Sequence, residues 1–101
     1  MSASIGLTRT APQRVQHSDG WSLASAGRYA MRYVDSQREV HVPVEDGATV
    51  TTVYVDELER QVGDAIRAPL TPEELDIVLP RVLLGMQELT DGTFEVHRMS
   101  S

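Results

Sequence analysis

The sequence predicts an α+β fold in which an antiparallel β-sheet of four to five strands, arranged as a meander, packs against one kinked C-terminal helix. Three observations predict it: short segments of alternating apolar residues between residues 20 and 55, a helical apolar period over residues 71–89, and a last alternating segment at residues 93–98. Residues 20–101 are therefore expected to form a single α+β domain. Residues 1–19 precede the pattern.

Those first 19 residues are rich in Ser, Thr, Ala and Gln and show no sustained period. They predict a flexible N-terminal arm. Ile5, Leu7 and Val15 are the apolar residues expected to anchor any part of it that packs.

Two alternating segments joined by a polar turn predict a hairpin over residues 28–45, preceded by a short strand in which Trp21 and Leu23 share one face. A loop centred on residues 36–37 sets its register, and a slip of one residue would turn the apolar set to water. The predicted apolar pairs are Tyr33 with Val40, Met31 with Val42, and Tyr29 with Val44. The predicted polar pairs are Arg28 with Glu45 and Arg32 with His41.

The β-branched run at residues 49–55 is mildly apolar on both sides, which suits a central strand. A short helical turn is predicted near residues 56–60, and a loop over residues 61–70 that Pro69 closes. The last strand, residues 93–98, alternates Phe94 and Val96 with polar residues and is expected at the edge of the sheet.

The C-terminal helix has a well-marked start. Thr71 can cap it, Pro72 suits the first helical position, and Glu74 completes a capping box. Pro80 removes a backbone hydrogen bond inside the helix and Gly85 weakens it further, so we expect a kink near Pro80 or two short helices. The apolar stripe that should cover the sheet comprises Leu75, Val78, Leu79, Val82, Leu83, Met86 and Leu89.

Ile77 and Leu84 lie on the reverse side of this helix, among charged residues. Two interpretations are open. A loop or terminus covers them, or they form a partner or homodimer surface.

Composition limits the class of protein. The chain has 101 residues, a net charge of −6 and no cysteine, which excludes disulfide frameworks and thiolate metal sites. The acidic balance argues against nucleic acid as a partner, and no stretch has the length or apolarity of a membrane span. The cytoplasm is the expected compartment. Residues 1–34 hold four arginines against one acid, Asp19, so the acidic surplus belongs to the remainder.

No catalytic, metal or cofactor motif is evident. His17, His41 and His97 are far apart in sequence, and no serine or threonine stands in a nucleophile motif. The chain is therefore not expected to be an enzyme or to hold a cofactor, although a small-molecule enzyme with a pocket of converging titratable groups stays open as a third class.

The densest acidic run begins at the predicted helical turn and includes Asp56, Glu57, Glu59 and Asp64. Such runs are often solvated surface. Alternatively, these carboxylates bind a basic partner and accelerate its association. With Ile77 and Leu84, these four are the candidate partner-binding residues.

Four segments together resemble small bacterial immunity proteins, specifically the immunity protein 74 family that accompanies polymorphic toxins. The segments are Gly27-Arg-Tyr-Ala-Met-Arg-Tyr-Val34, Arg38-Glu-Val-His-Val-Pro-Val-Glu45, Val53-Tyr-Val-Asp-Glu-Leu-Glu-Arg60 and Pro69-Leu-Thr-Pro-Glu-Glu-Leu75. The resemblance spans residues 20–97. It implies a protein that acts by binding, so no catalytic residues transfer.

Two functional hypotheses follow. In the first, the chain binds a cognate toxin domain, expected to be basic and often a nuclease, and occludes its active or substrate-binding surface. In the second, it is a non-enzymatic adaptor or secretion-chaperone-like protein that forms a homodimer through Ile77 and Leu84.

Overall fold

The computed structural model of the chain describes residues 6–27, 29–47, 50–64 and 66–98. Within these ranges a curled, mostly antiparallel sheet packs against one C-terminal helix, which confirms the predicted α+β class. The elements are β1 Leu7–Ala11, β2 Arg14–His17, β3 Ser22–Ser25, β4 Ala30–Val34, β5 Glu39–Asp46, β6 Thr51–Tyr54, a 3-10 helix Val55–Glu57, β7 Glu59–Gly63, β8 Ile66–Pro69, α1 Pro72–Thr90 and β9 Phe94–His97.

The strand order is β1-β2-β3-β4-β5-β6-β9, so the first six strands form a meander. Strand β5 is long enough to pair with two strands along one edge. Its C-terminal half pairs with β6, whereas Val40 and His41 pair with β7, which in turn pairs with β8. The last strand, β9, adds to β6 in parallel. The branching at β5 lets the sheet curl around the helix.

The predicted hairpin register is confirmed where the structure describes it. Tyr33 pairs with Val40, Met31 with Val42, and Arg32 with His41. The Val44 N–H donates to the Tyr29 carbonyl at 2.9 Å, which continues the same register. The Tyr29 side chain is nevertheless 64% exposed, so Val44 is the only member of the third apolar pair that reaches the core. The predicted pair of Arg28 with Glu45 lies outside the described residues.

The structure has more strands than the predicted four to five, and one addition comes from the N-terminal segment. Residues 7–17, expected in a flexible arm, form the hairpin β1-β2. Val15 is fully buried and Leu7 packs against the core. Arg9 reaches the C-terminal end of α1, where its Nη2 donates to the Leu89 carbonyl at 3.5 Å. Two anchoring side chains are too few to show a period in sequence. Ile5 lies outside the described residues.

The second addition corrects the expected loop at residues 61–70, which forms the hairpin β7-β8. The helical turn predicted near residues 56–60 is a 3-10 helix, and it ends sooner because β7 begins at Glu59. Gln61 pairs with Arg67, so polar residues face each other across the hairpin. Pairing with β5 holds these residues extended, and such long-range pairing leaves no local apolar alternation to detect.

Helix α1 starts as predicted. The Glu74 N–H donates to Thr71 Oγ1 at 3.1 Å, and the Thr71 N–H donates to Glu74 Oε1 at 3.0 Å. The helix then continues through Pro80 to Thr90, so the alternative of two short helices is wrong. Pro80 deprives the Asp76 carbonyl of its helical partner, and Asp76 is exposed, so water can satisfy that carbonyl. No helix among the described residues is long and apolar enough to cross a membrane.

The buried face of α1 matches the predicted stripe along Val78, Val82, Met86 and Leu89. Gly85 is buried on this face as well. A Cβ atom built on Gly85 would lie 2.7 Å from Leu23 Cδ2 and 3.4 Å from Val15 Cγ2. The missing side chain therefore permits the close approach of α1 to β2 and β3.

We predict that Gly85→Ala lowers the free energy of unfolding by up to about 2 kcal/mol. Alanine improves helix propensity by about 1 kcal/mol, but the clash with the fully buried Leu23 side chain costs about 1–3 kcal/mol. Urea denaturation measures the change. In a Leu23→Val background, which removes Cδ2, the same substitution should cost less. A more stable Gly85→Ala protein would show that the helix does not need this close contact.

Candidate partner-binding site

Asp56 and Glu57, two of the predicted partner-binding residues, are exposed on the 3-10 helix. Buried side chains fix this segment on both sides, because Val55 is 2% exposed and Leu58 is 4% exposed. The two carboxylates are therefore presented by a short turn that the core holds in place.

Two further residues, not predicted, join them. The Tyr54 hydroxyl donates to Glu45 Oε1 at 2.7 Å. This hydrogen bond raises the pKa of Tyr54, and the charges of Glu45 and Glu57 act in the same direction. The Tyr54 ring also lies 5.0 Å from the His97 ring, centroid to centroid. We call Glu45, Tyr54, Asp56 and Glu57 the acidic patch.

The register of β5 with β6 explains why sequence reasoning missed Glu45 and Tyr54. Glu45 is directly opposite Thr52, so Tyr54 is its diagonal neighbour on the same face of the sheet. The sequence prediction gave a register for β5 with the preceding strand only. The register of the β5-β6 hairpin, had it been worked out from the sequence, would have placed Glu45 and Tyr54 side by side.

The other two predicted acids lie elsewhere. Glu59 is in β7, where its Oε1 is 3.8 Å from Arg67 Nη1, so its charge is partly compensated. Asp64 is exposed in the turn between β7 and β8. The structure thus places Asp56 and Glu57 on the 3-10 helix, and Glu59 and Asp64 in the β7-β8 hairpin.

Ile77 and Leu84 differ in their surroundings. Ile77 is 43% exposed and borders a pocket of ≈ 170 Å³ whose lining includes Asp19 and Arg81. Leu84 is half-buried and packs against the core. The apolar surface that the sequence predicts on this side of the helix is therefore reduced to Ile77.

A partly buried ionic network, also not predicted, joins the β4-β5 turn to the helix. Asp35 Oδ2 accepts from the Tyr33 hydroxyl at 2.7 Å and from Arg38 Nη1 at 2.8 Å. Arg81 on α1 donates to the Tyr33 hydroxyl at 2.9 Å. Glu74 Oε2 lies 3.7 Å from Arg38 Nε and 3.3 Å from Arg60 Nη1. Since Arg60 is in β7, this strand is also part of the network. The side chains of Asp35 and Arg38 are only 7% and 10% exposed.

The network favours the charged carboxylate. Burial alone would raise the pKa of Asp35, but hydrogen bonds from the Tyr33 hydroxyl and the backbone of Gln37 and Arg38, with the Arg38 charge, lower it. Burial, followed by the hydrogen bond to Asp35, raises the pKa of Tyr33 to about 12. Near neutral pH, Asp35 is therefore ionised and Tyr33 is protonated. Groups that do not titrate in this range suit a structural role.

The histidines occupy three separate places. His17 stacks on Trp21 with ring centroids 5.1 Å apart, His41 lies in β5, and His97 lies beside Tyr54. Across the ranges that the structure covers, no three histidine, aspartate or glutamate side chains are grouped so that they could hold a metal ion.

Comparisons with protein-family models, with curated proteins and with solved structures found no match to this chain.

We predict that Asp35→Asn lowers the free energy of unfolding at pH 7 by about 3 kcal/mol, because it removes the nearer of the two carboxylates that pair with the largely buried guanidinium of Arg38. The pKa of Asp35 is lower in the folded state, so the stabilisation is complete above the unfolded-state pKa of about 4 and is lost as pH falls through the folded-state value. Denaturation at several pH values between about 2 and 7 tests both effects.

The matched control is Asp76→Asn, an equal change of charge at an exposed position of α1. It should cost less than about 0.5 kcal/mol. Equal losses from the two variants, or an Asp35→Asn protein that loses as much stability between pH 5 and pH 2 as the unmodified chain, would contradict the assigned role of Asp35.

Proposed function

We propose that this chain is an immunity protein that binds a cognate bacterial toxin domain through the acidic patch and occludes the toxin's active or substrate-binding surface. The single observation that carries the proposal is the grouping of Tyr54 with Glu45, Asp56 and Glu57 on a rigid support. The resemblance of residues 20–97 to the immunity protein 74 family supports the same function.

The chemistry of the patch suits a basic partner. A nuclease must present cationic side chains to phosphate, and carboxylates can occupy that surface in place of the substrate. The net charge of −6 steers a basic protein toward this chain over a distance of about one Debye length. The toxin would be neutralised in the cytoplasm of the cell that makes both proteins.

Tyr54 gives the patch a specific anchor. Aromatic residues dominate the binding energy of many interfaces because they bury a large area at little cost in side-chain entropy. The hydrogen bond to Glu45 and the ring contact with His97 hold Tyr54 in one orientation before any partner arrives. Such pre-organisation reduces the entropy lost on binding.

The test is co-purification with the product of the adjacent gene, together with rescue of cells that express it. Glu57→Lys should weaken binding about tenfold, chiefly through slower association. Tyr54→Ala should cost about 2 kcal/mol of binding free energy, and Tyr54→Phe should cost less because the ring stays.

Glu88→Lys is the matched control, since it makes the same change of charge in the last turns of α1, where the helix dipole favours a cation. It should bind and rescue normally. Failure of the unmodified chain to bind or to rescue would end the proposal, and a loss confined to Glu88→Lys would place the partner on the helix and contradict the assigned surface.

A second candidate, the homodimeric adaptor or secretion chaperone, is favoured by one observation, the 43% exposure of Ile77 on α1. In that case the chain should sediment as a dimer, and Ile77→Asp should make it monomeric, because a buried carboxylate at the dimer interface would be strongly unfavourable. A monomer at every concentration accessible to sedimentation would contradict this candidate. Leu84 is a poor site for the same test because it packs against the core.

A further inference from the structure

The outer face of the sheet, which α1 does not cover, carries two arginines in register. Arg14 in β2 is opposite Ala24 in β3, and Ala24 is opposite Arg32 in β4. The three residues therefore form one row across three strands, with a small side chain between two long ones. Adjacent strands are about 4.8 Å apart, so the two arginine Cα atoms are separated by about 10 Å.

A pocket of ≈ 240 Å³ lies over this row. Its lining consists of Arg14, Ser22, Ala24, Arg32 and Val34, which gives it two cations, one hydroxyl and no acid. The small side chains of Ser22 and Ala24 leave the space that the arginines border. This positive site is notable in a chain with a net charge of −6.

The two guanidinium groups differ in their partners. Glu39 engages Arg32 from β5, with its Oε2 3.1 Å from Nε and its Oε1 3.2 Å from Nη2. The Arg32 Nη1 group makes no hydrogen bond within the residues described, and Arg14 forms neither a side-chain hydrogen bond nor an ion pair among them. The site therefore retains donors and a positive charge that the described residues do not neutralise.

We infer that this pocket binds a small oxyanion, a phosphate or carboxylate group, between Arg14 and Arg32. Guanidinium groups donate two parallel hydrogen bonds to such groups, and two of them about 10 Å apart at the backbone can converge on one anion. Ser22 supplies a further donor. The lining residues of this pocket belong to β2, β3 and β4, and none of them is part of the acidic patch, so the inference does not rest on the proposed function.

Isothermal titration and amide chemical shifts test the inference at about 10 mM ionic strength, where screening is weakest. The probes are inorganic phosphate, pyrophosphate and citrate, with sodium chloride at matched ionic strength. We expect saturable binding of at least one probe, with shifts centred on Ser22 and Ala24. Stronger binding of pyrophosphate than of citrate would indicate a phosphate-bearing ligand, and the reverse order a polycarboxylate.

Arg14→Gln and Arg32→Gln should each weaken binding about tenfold. Arg14→Gln is the cleaner variant, because Arg32→Gln also leaves Glu39 without its cation. The matched control is Arg98→Gln, which removes the same charge from an exposed residue beyond β9. Thermal denaturation of each variant confirms that it is folded.

Three results would overturn the inference. They are no saturable binding to the unmodified chain, binding that survives both arginine substitutions, and an equal loss from Arg98→Gln. The last would mean that the anions respond only to overall charge.

Discussion

Burial of one side of helix α1 inside the curled sheet is the interaction on which the rest of the structure depends. Val78, Val82 and Met86 are almost completely excluded from water, and Gly85 lets the helix approach β2 and β3 closely. A chain of this length has room for a single core, and the apolar area removed from water is its main source of stability. The curl of the sheet follows from this, because strands on both sides of β5 must bend to reach one helix.

Helix α1 covers one face of the sheet, and on the opposite face Arg14 and Arg32 are exposed. That face carries Arg14, Arg32 and His41 in adjacent strands, and further along β5 it carries Glu45 of the acidic patch. Opposite charges are thus presented by different parts of one small fold.

The ionic network around Asp35 complements the apolar core. It joins the β4-β5 turn, β7 and the first half of α1 through Tyr33, Arg38, Arg60, Glu74 and Arg81. A buried ion pair is weak evidence of net stability, since desolvation offsets much of the attraction. Its contribution here is to fix the position of the helix on the sheet. Arg38 and Arg81 reach their partners only when α1 is correctly placed. Arg60 shows the cost of the arrangement, as its buried Nε makes no hydrogen bond with any residue that the structure describes.

The sequence by itself determined the elements whose signals are local. The capping box at Thr71 and Glu74, the apolar stripe through Val78, Val82 and Met86, and the pairing of Tyr33 with Val40 all depend on residues within one element or across one tight turn. Asp56 and Glu57 could also be identified, because two acids beside a buried Val55 and Leu58 indicate an exposed turn.

Only the tertiary structure decided the rest. The hairpins β1-β2 and β7-β8 carry too few apolar residues to show a period, and they are strands because β3 and β5 offer them edges. Glu45 and Tyr54 meet through the register of β5 with β6, Asp35 and Arg81 meet across 46 positions of sequence, and Arg14 and Arg32 align across three strands. Contacts between residues so distant in sequence depend on which surfaces the core brings together. A single sequence contains no local pattern from which that arrangement can be predicted.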